Sequence, residues 1–172
     1  MRKTDPGRAP GADPGTGADP GTGADLIDLR DGDSSFRLRV LGRRMPGVLH
    51  LHDRLDAEVL VVSSFVTGRL PVSLLPSDLD EWGRALDVLA SGREVAWLED
   101  GSPGIRVRPF DEVHGTPTVL VEDLGRSCVS VLLPLALGAG WIDEQRRLLA
   151  QVRRTWPSEV HRPAPGVHEW RR

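Results

Sequence analysis

The chain of 172 residues contains no tyrosine, one cysteine and one lysine. It also lacks any run of about eighteen apolar residues, so no segment reads as a helix that crosses a bilayer. A single cysteine cannot build the disulfide framework of a small secreted domain. The formal charge of -3 lacks the basic surplus of a general nucleic-acid binder, and nucleic acid is not an expected partner. Residues 2 to 25 hold no Val, Ile, Leu, Phe or Trp, so they offer no apolar stretch for a secretory signal, and the expected location is the cytoplasm. Because lysine is nearly absent, arginine is the general cation of this sequence. An arginine at a given position therefore carries no message about bidentate recognition.

Two copies of Gly-Ala-Asp-Pro-Gly-Thr fill Gly11 to Thr22 and a third begins at Gly23. With no apolar surface to offset its ordering entropy, the segment 1–25 is expected to be a disordered tail. Residues 26–172 form one expected domain, long enough for a cooperative core without metal or disulfide.

Alternation dominates its first half. Leu26, Ile27 and Leu29 open a strand, and Phe36, Leu38 and Val40 alternate with Arg37 and Arg39 across an Asp31-Gly32 turn. Leu55 to Val62 and Leu70 to Leu74 read as a second strand pair around Thr67 and Gly68. A helix follows, with Ser77 as expected N-cap, Leu79, Trp82, Ala85, Leu86, Leu89 and Ala90 on one face, and Gly92 as its stop. Four more strands are expected at Val95 to Leu98, Ile105 to Phe110, Val119 to Glu122 and Val129 to Leu133. A second helix runs from Trp141 to Trp156, where Pro157 ends it. Gln145 falls in the middle of its apolar stripe. This order predicts an α+β fold with a mostly antiparallel sheet of about seven or eight strands and two amphipathic helices. A β-sandwich with appended helices is the alternative.

The densest polar segment is His50 to Glu58. His50, His52, Asp53, Asp56 and Glu58 offer five imidazole and carboxylate donors in nine residues, the ligand types a divalent metal takes, and are the candidate metal ligands. Strand alternation places Asp56 and Glu58 on one face, which is also what an ordinary solvated strand face looks like. Cys128 is expected to be a small packing residue in its strand, and no nucleophile elbow is present. Gly138-Ala139-Gly140 precedes a helix, but Asp143 and Glu144 would repel a phosphate there, so no cofactor is expected. Arg146, Arg147, Arg153 and Arg154 lie away from the apolar stripe of the second helix. They could meet an acidic partner or simply form a solvated face paired with Asp143. Trp170, in the C-terminal segment, either packs back or offers an exposed anchor to a protein partner.

Val40-Leu41-Gly42-Arg43, Pro46-Gly47-Val48-Leu49, His52 to Glu58, Gly68-Arg69-Leu70, Leu79-Asp80-Glu81-Trp82, Leu133 to Leu137, Gly140-Trp141-Ile142 and Glu169-Trp170 together resemble, over about residues 25–172, an uncharacterised family of high-GC actinobacteria, domain of unknown function 5959. That resemblance implies domain limits and no chemistry. A weaker architectural similarity is to small immunity proteins of the WapI type, which implies action by binding a cognate toxin. The leading expectation is therefore a non-enzymatic protein-interaction module with an unidentified protein partner. The alternative is a small metal-dependent hydrolase or metal-binding protein using the segment from His50 to Glu58.

Overall fold

A computed structural model describes residues 23–99 and 103–171. The expected tail up to residue 22 and the turn residues 100–102 lie outside the described residues. The first sheet is an antiparallel meander of β1 (Ala24–Arg30), β2 (Ser35–Arg43), β3 (Leu55–Val62) and β4 (Thr67–Leu74), paired in that order. Alternation is its cause: Phe36, Leu38 and Val40 are fully buried while Arg37 and Arg39 between them are not. A register shift between Asp25 and Ile27 lets Leu26 and Ile27 both reach the core, which a regular strand forbids. Strand β1 begins at Ala24, ahead of the expected boundary at 26.

The helix α1 (Pro76–Ala90) carries the chain away from the edge of β4. A second meander then forms from β5 (Val95–Trp97), β6 (Gly104–Arg108), β7 (Thr118–Asp123) and β8 (Val129–Pro134). The fold is α+β and mostly antiparallel as expected, but the eight strands divide into two four-stranded sheets. After the helix α2 (Trp141–Thr155), the C-terminal segment, for which no strand was expected, folds into a hairpin of β9 (Val160–Ala164) and β10 (Val167–Trp170). Gly166 turns it at φ 77°, a conformation open to glycine. Among the described residues no helix is long and apolar enough to cross a membrane.

Both sheets and both helices bury their apolar faces in one continuous cluster. Trp82 of α1 is fully buried, its ring 5.2 Å from that of Trp97, whose Nε1 donates to the carbonyl of Asp78. Helix α1 starts at Pro76, whose fixed φ suits the first helical position, so the cap falls on Leu75 rather than on the expected Ser77. Leucine has no acceptor, and the Asp78 carboxylate instead accepts from the Leu75 N–H at 2.7 Å. The turn expected at Thr67 and Gly68 lies earlier, closed by the Ser63 N–H on the Val66 carbonyl.

Gln145 is buried on purpose of geometry, not of polarity. Helix α2 packs along β1, the open edge of the first sheet, and the Gln145 side chain does what a neighbouring strand would do. Its Oε1 accepts from the Asp28 N–H and its Nε2 donates to the Asp28 carbonyl, both at 2.9 Å. The two halves of the fold are also joined by Asp31, whose carboxylate accepts from Asp33 and Ser34 in the β1–β2 turn and from the N–H of Ala136 beyond β8.

Candidate functional site

The segment from His50 to Glu58 does not gather its donors on one point. Among the described residues no group of three His, Cys, Asp or Glu side chains could hold a metal ion. Asp56 pairs with Arg44 at 3.5 Å and Glu58 with Arg69 of the adjacent strand. His52 is buried and uses both ring nitrogens. Its Nδ1 accepts from the Gly47 N–H at 2.8 Å, which leaves the proton on Nε2 to meet Glu159 at 3.1 Å. No ring lone pair remains for a metal.

These residues instead form a clamp on the C-terminal hairpin. The Asp53 carboxylate accepts from the Ser158 hydroxyl at 2.8 Å, from the Val160 N–H at 2.9 Å and from the Glu159 N–H at 3.0 Å. Arg43, reaching over from the end of β2, donates to Asp53 at 2.9 Å, to the Pro157 carbonyl at 2.7 Å and to Glu159 at 2.8 Å. The Trp170 ring meets the His52 ring edge-on at 4.7 Å, so Trp170 packs back while remaining 43% exposed. His50 stands apart from this network, with its ring 6.4 Å from that of His168 on β10. The partners of Asp53 lie more than a hundred positions away in the chain, and no local spacing could have shown them.

Electrostatics follow the hydrogen bonds. Burial pushes the Asp53 carboxyl up, but the N–H groups of Glu159 and Val160, the Ser158 hydroxyl and Arg43 outweigh it and hold the group below the usual carboxylate range. Asp31 is lowered by the N–H groups of Ala136, Asp33 and Ser34. Asp111, in the β6–β7 turn, is lowered to about 2 by His114 and Arg108. A carboxylate depressed in the folded state contributes stability that is complete above its unfolded pKa, about 4, and disappears as pH falls through the folded value. Asp25 works in the opposite direction, because burial raises it. With three carboxylates lowered and one raised, the expected net result is a loss of stability as pH falls below about 4, with the hairpin amides losing protection first. Hydrogen exchange across that range checks it, and hairpin amides that stay protected as far into acid as those of the two sheets would contradict the clamp.

The α2 arginines are mostly engaged. Arg146 pairs with Asp143 and with Asp87 of α1, Arg147 with Glu144, and Arg153 with Asp80 and the Leu79 carbonyl of α1. Arg146 and Arg153 join the two helices, and of the four α2 arginines only Arg154 makes no ion pair among the described residues. Cys128 corrects its expectation: it is exposed, precedes β8 rather than lying in it, and sits at φ 56°. The turn from Asp123 demands that left-handed position, and the Cys128 N–H donates to the Asp123 carbonyl at 2.9 Å.

Fold and cluster together define a two-sheet α+β domain whose most polar segment holds its own C-terminal hairpin in place. The model of a family of unknown function (DUF5959) matches residues 24–157, most of the chain, and the protein belongs to that family. The matched stretch contains both sheets, both helices and the clamp residues Arg43, His52 and Asp53, and it ends ahead of β9. No curated protein and no solved structure matches the chain.

Proposed function

We propose that the domain is a non-enzymatic, cytoplasmic protein-interaction module, an accessory or immunity-like protein that acts by covering part of a partner. The carrying observation is the treatment of the sheet edges. Unpaired edges invite pairing with other chains, and proteins blunt those they do not use. Edge β1 is closed by Gln145, edge β4 carries Pro71 and Arg69, and edge β5 is three residues long. Edge β8 has none of these devices in its centre. It presents Val129 at 52% and Leu132 at 47% exposure, and Leu124 in the preceding turn is exposed as well. Alongside it runs an apolar groove of about 250 Å³ between the sheets, walled by Val61 and Leu70 on one side and Val121 and Val131 on the other. An extended segment of a partner protein fits such an edge, with main-chain hydrogen bonds to β8 and apolar side chains in the groove.

Leu132→Lys and Val129→Lys place a charge at that edge without touching the core. The proposal expects a protein retained from native lysate by the wild-type domain at high salt to bind each variant about 30-fold more weakly, as loss of a central interface contact does. Melting temperatures of the variants should match the wild type. Equal retention by wild type and variants, or no salt-resistant protein retained by either, overturns it.

A further inference from the structure

A second site, separate from the β8 edge, lies where the loop ahead of β3, the start of α1 and the hairpin meet. A pocket of about 40 Å³ is lined there by His50, Arg54, Arg162 and His168, with Leu75 and Pro76 closing one side in apolar carbon. Apart from Asp53, its polar side chains carry nitrogen donors. Arg54 and Arg162 have no carboxylate partner among the described residues, whereas ten other arginines do. Arg54 Nε and His168 Nε2 are buried with no hydrogen-bond partner at all. Buried polar nitrogens are ordinarily satisfied, and two orphans on residues that line one pocket, the first a fixed donor and the second able to carry a proton, point to an acceptor beside them.

The one carboxylate on the pocket wall, Asp53, does not fill that place. Its oxygens are taken by Arg43, Ser158 and the N–H groups of Glu159 and Val160, and Arg43 balances its charge. The surroundings are cationic: Arg43, Arg54 and Arg162 stand against Asp53 and Glu159. Since one water needs about 10–15 Å³ of such space, the pocket admits a group with a few oxygen atoms and no more. From these observations we infer that the pocket formed by His50, Arg54, Arg162 and His168 binds a small oxyanion of phosphate size. Arginine donates to such a group in a fixed fork, and the two imidazoles supply further N–H donors from the loop and hairpin sides. Bound there, the anion would bridge the loop to β10 and add to the clamp.

Titration of the full chain with inorganic phosphate tests the inference at fixed pH and fixed ionic strength, with chloride replacing phosphate in the control. The expected result is a saturable rise in melting temperature with phosphate alone, and imidazole proton resonances of His50 and His168 that shift while those of His114 and His161 stand still. Arg162→Ser, on the exposed hairpin, should weaken phosphate binding about tenfold or more, and Arg54→Leu should do at least the same. Arg44→Leu, an exposed arginine of the same loop outside the pocket, should titrate as the wild type. No response beyond chloride overturns the inference. So does an unchanged affinity in Arg162→Ser, or a shift spread evenly over all the imidazoles.

Discussion

Gln145→Leu is expected to lower the stability of the domain by about 2–4 kcal/mol, although leucine is the better residue for an apolar helix stripe. The side chain is 1% exposed, and its two hydrogen bonds satisfy the N–H and the carbonyl of Asp28 on the open edge of β1. Leucine fills the same space and leaves both backbone groups buried without partners. Each such group costs about 1–3 kcal/mol, and the added apolar contact returns part of that. Chemical denaturation measures the loss directly. Gln145→Glu sharpens the test. Its protonated carboxyl can still donate and accept, whereas its ionised form cannot donate and is buried as a charge. The folded pKa of that carboxyl should therefore be raised, so its contribution is present below about pH 4 and lost as pH rises through the folded value. The deficit relative to wild type should be larger at neutral pH than in acid. A Gln145→Leu protein as stable as the wild type would mean that Asp28 finds other partners, and the edge-closing account would fail.

Asp53→Ala should release the hairpin and leave the two sheets in place. The carboxylate is the common acceptor for Ser158, Glu159 and Val160 and the ion-pair partner of Arg43. Removing it leaves those donors unpaired and Arg43 facing only Glu159 and carbonyl oxygens. Losing one member of a largely buried pair of this kind costs about 2–4 kcal/mol, and here the loss falls on one local unit. Amides of β9 and β10 should exchange near the rate of free peptide while those of β2 and β3 stay protected. The emission of Trp170 should move toward that of a solvated indole, as its edge contact with His52 opens. Asp53→Asn keeps an acceptor and loses the charge, so its effect should fall between alanine and wild type. Hairpin amides that exchange equally slowly in the alanine variant would show that the hairpin is held by something else.

How far the sequence could be read depends on where each signal comes from. The alternation of Phe36, Leu38 and Val40 and the 3.6-residue stripe of α1 are local, and both elements lie where those patterns place them. The division into two sheets was not legible, because alternation says which face a strand buries and not which strand lies beside it. Pro163, Pro165 and Gly166 give the C-terminal segment no strand signal in the sequence. Pro163 nevertheless sits in a two-stranded hairpin, where a missing donor is tolerated, and Gly166 makes its turn. The segment from His50 to Glu58 stands out in the sequence as polar, but its donors do not meet at one point. Proximity in sequence does not give convergence in space, and the partners of His52 and Asp53 come from residues 158–160. Arg54 and Arg162 come from two distant segments, and a pocket assembled in that way has no spacing in the sequence to detect. Gln145 was visible only as an anomaly, and its role needed the position of β1.

Both sheets are meanders in chain order, and that has a kinetic consequence. Each strand pairs with the next one along, so neither sheet requires two distant stretches of chain to find each other before its hydrogen bonds begin to form. The long closures are left to a few side chains: Gln145 reaches Asp28 across 117 positions, and Asp53 reaches Ser158 across 105. Such contacts belong to the end of folding, after the local strand pairs exist. They therefore act as latches on an assembled molecule, setting how long it stays closed more than how quickly it forms.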